Sequence, residues 1–148
     1  MRILVAYDGS LQAKDALRVG IEKVKKEGGD ITALHVFDNT LFYGYDAHPG
    51  AVEKAKREAE RQIDEARSIL QDSGKAIRTR LAHEEGDPEE EIVKYVEERY
   101  LDIILCPPRF KSAIARLGKS LGEQGRSLRE DTLTEGTVRL KVAFVAVN

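Results

Sequence analysis

Two short runs are dominated by apolar residues: Ile3-Leu4-Val5-Ala6 is continuous, and Leu101 to Leu105 holds one polar residue, Asp102. A strand with one wet face alternates apolar and polar residues, whereas a strand covered on both faces does not. These runs therefore predict central strands of a mainly parallel sheet with helices on both sides. The stretches between them support this. Asp8-Gly9-Ser10 breaks the first run, and Ser10 is placed to cap a helix in which Ala13, Ala16, Leu17, Gly20, Ile21 and Val24 recur at helical spacing, ended by Gly28-Gly29. Ile31 to Phe37 is a second strand, and a loop from Asp38 to Gly50 carries Phe42, Tyr43 and Tyr45. A long helix is expected from Ala51 to Gln71 and a half-exposed strand near a sheet edge from Ala76 to Leu81. Asp87 as N-cap, Pro88 at the first helical position and Glu90 at the capping-box position open a third helix. Lys141 to Val147 (KVAFVAV) is the last strand, while residues 107–137, polar and holding four glycines, are expected to be irregular or mobile.

Strand and helix alternate along 148 residues with no internal repeat or linker, which predicts one α/β domain spanning 1–148 with right-handed crossovers. The formal net charge of −2 gives no overall attraction to nucleic acid or an anionic membrane, so an anion site has to be a local patch. No apolar stretch approaches the roughly 20 residues of a membrane helix. The start reaches Asp8 too soon for a signal peptide. Cys106 is the single cysteine, so no intrachain disulfide can form. Together these features lead to the expectation of a cytoplasmic protein.

In open α/β sheets ligands bind beyond the carboxyl ends of the strands, where strand order reverses. Asp8 ends the first strand and Cys106 the fourth. If those strands are neighbours, Asp8 faces the segment that begins Cys106-Pro107-Pro108-Arg109. Asp8 has two readings, a ligand contact or a cap for the N–H groups of its own turn.

VAYDGS before an Ala-rich helix, LHVFD, EEGDPEEEIVKYVEE and LDIILC together resemble the universal stress protein family over residues 1–106 and the final strand. The resemblance implies a five-stranded, doubly wound, mainly parallel sheet of order 3-2-1-4-5 with helices on both faces. It also implies a stress-response or regulatory role and a homodimer through the last strand, Lys141 to Val147. That strand would otherwise leave an apolar edge unpaired. Many members bind ATP, with the aspartate corresponding to Asp8 on the nucleotide and the valine corresponding to Val36 on the adenine. Their triphosphate sits on a glycine pattern, G-x2-G-x9-G-[S/T]. Here the three glycines fall on Cys106, Arg109 and Lys119, the hydroxyl position on Ser120, and Gly118 is one residue out of step.

A phosphate cradle is made of backbone N–H groups that approach the ligand closely. Pro107 and Pro108 have none, and Arg109 adds bulk. The first expectation is therefore a non-catalytic protein that does not bind ATP in the usual family manner. A second is an ATP or AMP switch with Mg, using Asp8 and Val36 with Arg109, Gly118, Lys119 and Ser120 on the phosphates. Gly118-Lys119-Ser120 does not complete a P-loop, since position 113 is alanine. A third is anion or nucleic-acid binding through residues 109–129, which carry a net charge of +5, although only Phe110 offers a base-stacking surface among them. Cys106 is either a reactive thiol or an apolar filler. His35, His48 and His83 have no ligand spacing, so no metal site is expected. No nucleophile and base are paired. The aromatic loop residues could cover the crevice, line a subunit contact or pack beneath their own loop.

Overall fold

A computed structural model of the chain describes residues 1–42, 48–74, 76–135 and 138–147. The first half builds as the periodicities predict. β1 (Arg2–Tyr7) is followed by α1 (Leu11–Glu27), whose N-cap Ser10 accepts the Ala13 N–H at 3.1 Å. β2 (Asp30–Asp38) leads through a 3-10 turn (Thr40–Phe42) towards α2 (Pro49–Asp72). β3 (Arg78–Gly86) runs five residues beyond the expected Leu81, because its register with β2 continues to Asp38↔Gly86. α3 (Pro88–Glu97) starts at the expected cap, with Asp87 Oδ2 accepting the Glu90 N–H at 3.3 Å. β4 (Ile103–Cys106) pairs in parallel with β1, which makes Asp8 and the Cys106 segment neighbours.

The sheet is doubly wound, and its core has the expected order 3-2-1-4. The expected five strands become six, in the order β3-β2-β1-β4-β6-β5. Residues 107–137 differ most from expectation. Pro108–Phe110 is a 3-10 turn, Lys111–Glu123 is helix α4, and Arg126–Glu135 is strand β5. α4 buries Ala113, Ile114, Leu117 and Leu121, a helical repeat hidden among Gly118, Gly122 and several charges. Gly125, at φ +72°, turns the chain out of α4 into β5. β6 (Val138–Val147) then returns antiparallel between β4 and β5. The last strand is therefore not an edge. β5 covers it, and β5 is the outermost strand on that side.

Two apolar layers flank the sheet. Ile3, Val5 and Ile31 pack with Leu17, Ile21 and Val24 of α1 and with Ala66 and Leu70 of α2. On the other face Leu4, Ala6, Leu34 and Ile104 pack with Ile92, Val93 and Val96 of α3 and with Ile114, Leu117 and Leu121 of α4. Ile3, Leu4, Val5, Ile104 and Leu105 are each at most 1% exposed, so the apolar runs are covered on both faces. Among the described residues no helix is long and apolar enough to cross a membrane.

Candidate functional site

The crevice expected at the strand ends is present. Asp8, His35, Val36 and Arg109 line it from the sheet side, and Glu58 and Gln62 from α2, around a cavity of about 180 Å³. Gly9 takes φ +81°, and its Cα lies so close to Gln62 that a Cβ there would stand 2.5 Å from Gln62 Cγ. A glycine is required at that turn on both counts. Asp8 caps its own turn and also faces Arg109. Its Oδ1 accepts the Ser10 N–H at 3.0 Å, and its Oδ2 lies 3.8 Å from Arg109 Nη1.

Beneath the crevice lies a polar chain. His35, 2% exposed, places Nε2 2.9 Å from Gln62 Oε1 and Nδ1 3.2 Å from His83 Nδ1. The amide oxygen can only accept, so His35 carries its proton on Nε2 and accepts at Nδ1 from the His83 Nδ1–H. Every member is satisfied while His35 is neutral. Burial holds the His35 pKa below its ordinary value, against the opposing effect of the Gln62 hydrogen bond. At the crevice wall Glu58 is held below the usual carboxylate range, chiefly by hydrogen bonding to Arg61. Phe37 and Phe42, both lining the crevice, stack with centroids 6.0 Å apart. Tyr43 and Tyr45 lie outside the described residues.

The six candidate nucleotide contacts divide. Asp8, Val36 and Arg109 converge on the crevice. Gly118, Lys119 and Ser120 do not line it, because they belong to the second half of α4. The Ser120 hydroxyl donates to Glu97 Oε1. A Cβ on Gly118 would meet nothing closer than Leu128 Cδ2 at 3.8 Å. The chain after β4 has no open loop at this point. It turns at once, with the Phe110 N–H donating to Pro107 O at 3.0 Å, and enters α4 at Lys111.

The cations of 109–129 also spread apart. Arg109 faces the crevice, Arg116 pairs with Glu89 at 3.7 Å, and Arg126 lies at the opposite end of the sheet beneath Arg99 O. Arg129 lies over Phe144, 4.3 Å from its ring centroid. Cys106 is fully buried, which pushes its thiol up to about 12 and makes it an apolar filler of the α3–α4 layer. Among the described residues no group of three or more His, Cys, Asp or Glu side chains is placed to hold a metal ion.

Gln62 and Glu58 join the crevice without having stood out in the sequence, and Pro88 and Phe110 had stood out there only as a helix start and a stacking surface. For the α2 pair a signal exists, since Ala55, Glu58, Ala59 and Gln62 lie at i, i+3, i+4 and i+7. Nothing in that stripe says which strand end it faces.

The sequence profile of the Universal stress protein family matches residues 1–123. A universal stress protein of Methanocaldococcus jannaschii is 25% identical over 119 residues, 78% of this chain and 69% of that protein. Among solved structures, a universal stress protein family member from Burkholderia pseudomallei superposes with a TM-score of 0.60. It is 24% identical and covers 81% of this chain and 89% of its own. The universal stress protein UspA of Lactobacillus plantarum superposes at 0.57, with 18% identity over 78% of this chain and 90% of its own. Those two likenesses concern the fold. The profile stops at the end of α4, so the β5–β6 hairpin lies beyond it.

Proposed function

Because the chain belongs to the universal stress protein family, we propose that it is a non-catalytic stress-response or regulatory protein that does not hold ATP in the usual family manner. The observation that carries this is the charge of the crevice. Among the described residues three carboxylates, Asp8, Asp38 and Glu58, line it with a single cation, Arg109, and that guanidinium already faces Asp8 at 3.8 Å. A triphosphate needs N–H donors and positive charge. The segment after β4 contributes two prolines and a closed turn instead. A cavity of about 180 Å³ is also below the ~300 Å³ from which small-molecule pockets usually start.

The test is calorimetric titration of nucleotide-free protein with Mg-ATP, repeated on Arg109→Ala and Asp8→Ala. Wild type is expected to give no saturable heat at millimolar nucleotide. Saturable binding that vanishes in Asp8→Ala would overturn the proposal. It would establish the second reading, an ATP or AMP switch, which the convergence of Asp8, Val36 and Arg109 favours.

The proposed homodimer moves from Lys141–Val147 to the outer edge of β5, since β6 is paired on both sides. Antiparallel pairing of two copies centred between Arg129 and Glu130 sets each Arg129 opposite a Glu130. That is the self-complementary arrangement a two-fold interface needs.

A further inference from the structure

The largest concentration of arginine lies at the other end of the sheet, away from the crevice. It arises from a mismatch of lengths. α3 has ten residues and β3 nine, so the helix spans about 15 Å and the strand about 30 Å. α3 starts directly after the carboxyl end of β3 and stops about halfway down. The lower part of β2 and β3 on that face has no helix over it.

Register decides what stands there. Positions aligned across parallel strands share a face, and the α3 face carries Leu4, Ala6, Leu34 and Ala82 in its apolar layer. One row lower come Thr32 and Arg80, which are aligned. Below them Arg2, Asp30 and Arg78 stand in line. Arg99, just past the end of α3, closes the far side. The result is a cavity of about 440 Å³ with Arg2, Arg78, Arg80 and Arg99 on its walls and one carboxylate, Asp30.

Asp30 is taken by Arg2 at 3.5 Å, and Arg99 pairs with the exposed Glu98 at 3.6 Å. Among the described residues no carboxylate comes within 4.0 Å of Arg78 or Arg80. Neighbouring like charges on one sheet face repel. The cavity therefore carries an uncompensated positive charge on a buried floor of Thr32, Tyr95 and Leu101, which are 5–7% exposed. Arg99 also donates to Tyr95 O at 3.2 Å, covering a carbonyl at the helix end that would otherwise repel an anion.

We propose that this cavity is a binding site for a compact polyanion of linked phosphates. Guanidinium forks match phosphate oxygens in pairs, and several converging forks favour several linked phosphates over one. Among the described residues no aromatic face is left open to a nucleobase, since the Tyr95 ring is covered by the Arg99 guanidinium 3.6 Å above its centroid. The site is separate from the crevice and does not depend on how the crevice is occupied.

The test uses sodium tripolyphosphate as probe, titrated calorimetrically at low salt (about 50 mM) where charge contacts are least screened. Wild type is compared with the double variant Arg78→Gln/Arg80→Gln and with Arg109→Gln at the crevice. Arg78 and Arg80 are exposed, so the double variant keeps its fold, which a thermal melt without ligand verifies. Wild type is expected to bind tripolyphosphate more tightly than orthophosphate and to melt higher in its presence. The double variant is expected to lose at least about tenfold in affinity, and Arg109→Gln to keep it. Three results would each overturn the proposal: no saturable heat in wild type, unchanged affinity in the double variant, or loss of binding in Arg109→Gln.

Discussion

His35 is the residue on which the floor of the crevice depends. Its neutral ring satisfies Gln62 and His83 together, and a second ring proton would point at the His83 N–H 3.2 Å away. Burial, opposed by the Gln62 hydrogen bond, keeps the folded pKa below the ordinary ~6.5. As pH falls the unfolded chain therefore takes the proton first. The stabilisation is complete above about pH 6.5 and is lost as pH drops towards the folded value. The melting temperature is expected to fall as pH drops below about 6.5, with a shallower slope in His35→Gln. Equal slopes would show that His35 is not the titrating group. Cys106 gives the contrasting case, a buried group with no chemistry to offer. With its thiol pushed up to about 12, it is expected to resist a thiol reagent in the native protein and to react fully in denaturant. Rapid native labelling would restore the reactive reading.

At the scale of elements, the legible parts of the sequence are those in which one periodicity is unopposed. Ile3–Ala6 admits only a doubly covered strand, and Ser10 and Asp87 announce their helices by capping chemistry that acts within three residues. α4 is less legible. Its buried residues follow helical spacing, but Gly118 and Gly122 lower the local helix propensity and Pro107-Pro108 suggests a loop. Tertiary packing overrides both, since Leu117 and Leu121 have no exposed surface. Leu117→Ala is expected to cost about 2–5 kcal/mol, read as a lower urea midpoint at unchanged slope. An unchanged midpoint would mean that α4 is not docked. β5 is less legible still. RSLREDTLTE mixes charge into both faces, which suits an outermost strand and erases the alternation that would identify one.

At the scale of the whole molecule, strand order decides which edges two copies could share. With β6 inside the sheet, pairing through β5 is expected to give a species of twice 16.5 kDa in sedimentation at micromolar concentration. Arg129→Glu is expected to weaken it by setting like charges face to face. A wild type found only at 16.5 kDa would remove the dimer. The shared direction of β1, β2 and β3 separates the two charged regions, with the carboxylate-lined crevice at their carboxyl ends and the arginine cavity at their amino ends. The sequence by itself determined the α/β class, the central strands, the Ser10 and Asp87 helix caps and the position of Asp8. Each of these follows from apolar period or from hydrogen bonds only a few residues long. Only the tertiary structure decided that Gly118-Lys119-Ser120 is helix, that Gln62 meets His35, that β6 enters beside β4, and that Arg2, Arg78, Arg80 and Arg99 share one cavity. Those outcomes depend on contacts between residues distant in the chain, and on the lengths of a strand and a helix that come to lie side by side.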